Sequence, residues 1–119
     1  MYDIHPDYWS DALIDALPEL RPGYRSMLDQ WGRQSPGAHI VYGDLLNPLL
    51  IALLKDVDRN RNELSRIFGV LEKLASNGDE HVKNVIGATV FERLAGERLL
   101  QAARGFMGPV LQEIASPLY

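Results

Sequence analysis

The chain has 119 residues and no cysteine, a length typical of one domain. The absence of cysteine excludes a disulfide framework, a cysteine-ligated zinc site and a cysteine nucleophile. With 16 Asp and Glu against 12 Lys and Arg, the formal net charge is −4, and nearly all of it lies in residues 1–20, an acidic patch that disfavours contact with a phosphate backbone.

Helical periodicity runs along nearly the whole chain, and no segment shows the two-residue alternation of a half-buried strand. The first helix is predicted over about residues 7–17, with five apolar side chains on one face: Trp9, Ala12, Leu13, Ala16 and Leu17. A second helix is expected over about residues 23–33 and a third over 39–57. Within the third, Pro48 predicts a kink or a break because proline lacks a backbone N–H.

Four further helices follow with short turns between them. Their expected bounds are about residues 61–76, 79–95, 97–105 and 109–115. Gly78 is expected to stop the fourth helix in the left-handed conformation. These six to seven short-to-medium helices predict an all-α single domain over residues 1–119, either a compact orthogonal bundle or a helical array. In it, an acidic segment (residues 1–38) would pack on a helical core (residues 39–119).

No constellation of residues points to catalysis or metal binding. The histidines His5, His39 and His81 lack the spacing of a helical metal site, and no serine lies in a nucleophile motif. We therefore predict a chain that is not an enzyme and has no catalytic residue, no metal and no cofactor. Basic residues near 55–66 alternate with acids, so we expect a solvated turn there and no direct contact with nucleic acid.

Two glutamates lie in similar fragments, Glu72 in Leu-Glu-Lys-Leu and Glu92 in Phe-Glu-Arg-Leu. One interpretation is a paired acidic site on neighbouring helices. The interpretation that we favour is that each glutamate lies at the polar edge of its helix and pairs with a nearby cation. Most glycines are interpreted as helix stops or as small residues at helix contacts, as with Gly69, Gly87 and Gly96.

An acidic series opens the chain, with one acid every four residues: Asp3, Asp7, Asp11, Asp15 and Glu19. Residues 1–20 contain no Lys or Arg and carry −5, whereas the remaining 11 acids and 12 bases sum to +1. Like charges at this spacing on a helix cost about 0.2–0.5 kcal/mol per pair, so stability alone does not favour the series. Its simplest interpretation is a solvated helix face. The functional hypothesis is a docking face for a basic protein, with Tyr8 as an aromatic anchor at its edge.

The chain also shows no sign of targeting or membrane insertion. Its first residues lack the basic start and apolar run of a signal peptide. The most apolar stretch, Leu45–Leu54, would span only about half of a bilayer core. We expect a cytoplasmic protein with no membrane contact.

Four fragments carry a family resemblance: Tyr42-Gly43-Asp44-Leu45, Asn77-Gly78-Asp79-Glu80, Phe91-Glu92-Arg93-Leu94 and Met107-Gly108-Pro109. With them, about two thirds of the chain resembles a family of small, stand-alone, all-helical bacterial proteins of unknown function. Members of that family look like immunity proteins encoded beside polymorphic or contact-dependent growth inhibition toxins. The resemblance brings no catalytic residues with it, and the acidic series lies outside its clearest part.

The resemblance and the acidic series together lead to one hypothesis. The chain would be a non-enzymatic immunity protein that binds a cognate toxin domain with a basic surface, for example a nuclease, and occludes its active site. The alternative is a helical adaptor or regulatory subunit of another cellular protein. The sequence does not indicate an oligomeric state.

Overall fold

In a computed structural model of the chain, residues 6–32 and 35–119 are described, except for the side chains of Pro6 and Asp7. Within these ranges the all-α prediction is confirmed, with seven helices and no strand. The helices are α1 (Pro6–Ala16), α2 (Arg21–Gln30), α3 (38–54), α4 (Arg61–Asn77), α5 (80–96), α6 (Leu100–Arg104) and α7 (Pro109–Ala115). None of these described helices has the length and apolarity needed to cross a bilayer.

Helix α3 changes its winding in the middle. It runs as Ala38–Val41, a π-helical turn Tyr42–Leu46, and Asn47–Leu54. The backbone N–H of Asn47 donates to the carbonyl of Tyr42, five residues back. Only Asn47 separates this wider turn from Pro48, whose ring would clash with the carbonyl four residues earlier in a regular helix. The irregularity expected at Pro48 therefore takes the form of a π-helical turn.

Helix α5 contains a second π-helical segment, and the two irregular segments pack against each other. The parts of α5 are Glu80–Asn84, the π-helical segment Val85–Phe91, and Glu92–Gly96. The contact is close because Gly43 has no side chain: a Cβ there would lie 3.2 Å from Cγ2 of Thr89. The side-chain amide of Asn47 donates to the Thr89 carbonyl at 3.1 Å and so joins the two helices.

The core lies where α1, α3, α4 and α5 meet. Its largest fully buried side chains include Tyr42, Phe68 and Phe91. The hydroxyl of Tyr42 donates to the backbone carbonyl of Trp9 at 3.0 Å, which ties α3 to α1. Burial raises the pKa of the Tyr42 phenol, so the hydroxyl keeps its proton and remains a donor.

The buried face of α1 is rotated relative to the sequence prediction. Ser10 and Ile14 are buried, whereas Ala12 is half-buried and Ala16 is exposed. An isoleucine side chain removes far more apolar area from water than the methyl group of an alanine. A rotation that buries Ile14 instead of Ala16 is therefore favourable, and it leaves the two alanines at the edge of the core.

The turn between α4 and α5 also differs from the prediction. Gly78 is extended, with φ −92° and ψ 174°, and is not left-handed. It needs to be small, because a Cβ there would lie 2.6 Å from the carbonyl oxygen of Leu74. Asp79 then caps α5: its carboxylate accepts hydrogen bonds from the backbone N–H groups of His81 at 3.0 Å and Val82 at 3.2 Å.

Helix α6 starts later than expected because α5 ends in a Schellman turn. The N–H of Leu99 donates to the carbonyl of Leu94 at 2.8 Å, and that of Arg98 to Ala95 at 3.0 Å. Arg98 has φ 62°, the left-handed conformation that usually selects glycine at this position.

Candidate functional site

Three acids of the predicted docking face lie among the described side chains, and all three are exposed: Asp11, Asp15 and Glu19. Asp3 lies outside the described residues, as does the side chain of Asp7. Asp11 and Asp15 lie one turn apart on α1. Glu19 lies beyond the end of α1, in a 3-10 turn that begins at Pro18. The four-residue repeat therefore does not continue along a single helix.

Each of these three carboxylates has a contact within the chain. Asp11 accepts a hydrogen bond from the hydroxyl of Tyr24 at 3.1 Å. An Asp15 carboxylate oxygen lies 3.7 Å from the guanidinium of Arg21, but the Asp15 side chain remains 78% exposed. Such an exposed, loosely paired carboxylate gains little stability from its partner. Asp11 and Asp15 therefore still present much of their negative charge to solvent.

Glu19 is held more firmly. The guanidinium of Arg66, on α4, donates to its carboxylate, and this hydrogen bond lowers the pKa of Glu19. Arg66 also bonds Glu63 at 2.9 Å, and these two carboxylates raise the pKa of the arginine. Glu19 therefore fastens the turn after α1 to α4, a structural contact that the acidic series alone did not indicate.

The aromatic pair at the start of α1 divides between surface and core. Tyr8 is 56% exposed, whereas Trp9 is 4% exposed and packs inward, as expected. The two rings meet edge to face, with centroids 4.8 Å apart. Contact with a buried indole limits the conformations of Tyr8, so a large aromatic side chain is presented to solvent at small entropic cost.

An apolar groove, which we call the α1/α4 groove, lies beside Tyr8. Its volume is about 380 Å³. The walls are formed by Ala12 and Ala16 from α1 and by Val70 and Leu74 from α4. The groove exists because the rotation of α1 turns its two alanines away from the core, where their methyl groups leave space. Sequence periodicity had assigned both alanines to the core and so missed this groove.

The ends and edges of the α1/α4 groove carry polar groups. Lys73 and Asn77 line it from α4, and the indole of Trp9 lines it from α1. The indole Nε1 is buried and has no hydrogen-bond acceptor among the described residues. At 100° per residue, Asp11 and Asp15 lie on one side of Tyr8 and the two groove alanines on the other. Carboxylates, aromatic ring and apolar groove thus follow one another around α1.

The two glutamates in similar fragments do not form a paired acidic site. Glu72 accepts hydrogen bonds from the backbone N–H groups of Val110 at 2.9 Å and Leu111 at 3.0 Å, and thereby caps α7. This differs also from the expected pairing with a nearby cation. Glu92 is exposed and lines an open cleft of about 440 Å³ between α5 and α7, together with Glu113.

Two histidines that are distant in sequence lie close together. The rings of His39 and His81 are 5.9 Å apart, and Nδ1 of His39 lies 2.5 Å from Oγ1 of Thr89. Nε2 of His81 is buried and has no partner in the described part of the chain. Within residues 6–32 and 35–119, no group of three His, Asp or Glu could hold a metal ion. His5 lies outside the described residues.

Comparison with known proteins places the chain in a family. No curated protein and no solved structure matches it. A family model described as a "Domain of unknown function (DUF7674)" matches residues 10–118. The match starts within α1 and ends within the turn after α7, so it covers nearly all of the described fold and the two groove alanines. The chain belongs to this family of domains of unknown function.

Proposed function

We propose that the chain is an immunity protein that binds a cognate bacterial toxin domain in the cytoplasm and neutralises it by occluding the toxin's active site. The sequence motifs from Tyr42 onward support this proposal through their resemblance to immunity proteins. We infer the contact surface from one observation: Tyr8 is half-exposed and lies between an apolar groove and two exposed carboxylates. Aromatic anchors next to apolar pockets, with charge at the rim, are typical of protein interfaces.

Electrostatics would guide the partner to this face. Asp11 and Asp15 present negative charge from a segment, residues 1–20, that contains no Lys or Arg. A surface that binds a polyanionic substrate is basic, so a nuclease toxin is the class whose active site this face fits best. Complementary charges raise the association rate and fix the orientation of docking, while burial of Tyr8 slows dissociation.

The proposal is tested by co-expression of the chain with the polypeptide encoded by the adjoining gene. An immunity protein rescues growth of cells that make this toxin and forms a stable complex with it. Failure to rescue growth, together with failure to bind, would contradict the proposal.

The electrostatic part is tested with a charge-matched pair of variants. We expect Asp11→Lys with Asp15→Lys to slow association with the toxin about tenfold or more at low salt, with a smaller effect at high salt. The control is Glu92→Lys with Glu113→Lys, which changes the net charge equally at two exposed positions away from α1. Equal effects of the two pairs would show that net charge, and not the α1 face, sets the rate.

A further inference from the structure

We infer that the α1/α4 groove takes an apolar side chain from a positively charged segment of a different protein. The inference deepens the proposed function, because under that function the segment belongs to the toxin. It rests on the apolar groove walls and on the carboxylates of Asp11 and Asp15, which lie on the other side of Tyr8 from the groove.

The groove walls are apolar and incompletely covered. Val70 and Leu74 lie one turn apart on α4 and are half-buried, and they face Ala12 and Ala16 across the groove. A volume of about 380 Å³ is within the range of cavities that hold a ligand or a large side chain. An aromatic or branched aliphatic side chain that enters here would remove the exposed parts of all four walls from water.

Charge decides which protein can bring this segment. In a two-fold symmetric dimer through this face, a second copy would place its own α1 against this one, and residues 1–20 contain five acids and no Lys or Arg. Asp11 and Asp15 would then face like charges, which disfavours self-association. A segment with Lys or Arg next to its apolar residue pairs with these carboxylates instead. Lys73 is the charged residue that lines the groove itself, so the Lys or Arg of such a segment would lie toward Asp11 and Asp15, on the other side of Tyr8.

The test uses a displayed library of random dodecapeptides, selected on the purified full-length chain. We expect the enriched peptides to share an aromatic or branched aliphatic residue next to Arg or Lys. Binding is followed by the fluorescence of Trp9 in the variant Trp31→Phe, because the chain has two tryptophans and Trp31 is 51% exposed. Enriched peptides that are acidic, or no enrichment at all, would overturn the inference.

Substitutions by uncharged residues distinguish the contribution of the groove to binding from the contribution of the carboxylates. Ala12→Gln with Ala16→Gln fills the groove with polar amides, and we expect it to weaken the selected peptides at least tenfold. Asp11→Asn with Asp15→Asn should weaken them about threefold to tenfold at low salt. The control Ala102→Gln makes the same change at an exposed position on α6 and should leave affinity unchanged. Since Ala16 is exposed, Ala16→Gln alone serves if the double variant does not fold.

The outcomes distinguish the inference from the proposed function. If the chain neutralises the toxin and the alanine variants bind it as tightly as the wild type, the inference fails and the proposed function stands. If the selected peptides behave as expected but no toxin is bound, the inference about the groove stands and the proposed function fails. Dimerisation that is lost in Ala16→Gln would show that a second copy is the occupant and would also overturn the inference.

Discussion

The carboxylate of Glu72 accepts a hydrogen bond from the backbone N–H of Val110 at 2.9 Å, across 38 residues of sequence. Its other oxygen accepts from the N–H of Leu111 at 3.0 Å. The first N–H groups of a helix have no acceptor within that helix, and the positive end of its dipole favours a negative charge. Glu72 thus joins the last helix, α7, to the long helix α4, which gives a stability test that does not depend on function.

Loss of this cap should lower the free energy of unfolding. We expect Glu72→Gln to cost about 1–2 kcal/mol, because an amide group replaces one of two acceptor oxygens and the charge is lost. Urea denaturation at neutral pH measures the change. The matched control is Glu92→Gln, at an exposed position, which should remain within about 0.5 kcal/mol of the wild type. An equal loss in both variants would contradict the capping role.

The space next to this cap is filled by the backbone of Gly108. A Cβ at Gly108 would lie 2.5 Å from Cδ of Glu72, so we expect Gly108→Ala to destabilise the chain by about 1–3 kcal/mol. The contrasting variant is Gly69→Ala. Gly69 lies in α4, and a Cβ there would have no neighbouring element within 4 Å, contrary to the expected helix contact. Alanine at this position should therefore stabilise by about 0.5–1 kcal/mol. Thermal unfolding of both variants tests whether the two substitutions change stability in opposite directions.

The left-handed residue at the end of α5 offers a stabilising substitution. Arg98 has φ 62°, which costs a residue with a Cβ about 1–2 kcal/mol, whereas glycine adopts it freely. Because glycine also gains freedom in the unfolded chain, we expect Arg98→Gly to stabilise by only about 0.5–1 kcal/mol. Gln101→Gly, within α6, should instead destabilise by a similar amount. A loss of stability in Arg98→Gly would indicate that the arginine side chain has contacts that compensate for the strain.

The ion pair between Glu19 and Arg66 predicts a dependence of stability on pH. The pair lowers the pKa of Glu19 below its ordinary value of 4.5 in the folded chain. Its contribution is therefore complete above about pH 4.5 and is lost as the pH falls through the lower, folded pKa. Both side chains are more than a third exposed, so we expect Glu19→Gln to cost less than about 1 kcal/mol at pH 7.

Urea denaturation at several pH values gives the measurement. The difference between wild type and Glu19→Gln should be present at pH 7 and should shrink toward zero below the folded pKa of Glu19. The matched control is Glu113→Gln, at an exposed position, and the trend in Glu19→Gln should exceed the one that this control shows. A difference that grew on acidification would contradict the assignment of this ion pair.

Local patterns in the sequence determined the fold class and much of the helix layout. The predicted bounds 61–76 and 109–115 agree closely with α4 and α7, because apolar periodicity and the prolines and glycines between helices are properties of neighbouring residues. Gly87 also takes the expected role of a small residue at a helix contact, since a Cβ there would lie 3.1 Å from Cγ2 of Ile114. The acids of the docking face and Tyr8 were likewise identified as candidates from their spacing in the sequence alone.

Packing between distant segments decided the rest. The rotation of α1 that exposes Ala16 and opens the α1/α4 groove depends on the surfaces of α3 and α4, which no pattern within α1 records. The cap that Glu72 places on α7 and the contact between His39 and His81 join residues about forty positions apart. A helical pattern tells which residues can share a face, whereas the neighbouring helices determine which part of that face is buried and which part remains available to a partner.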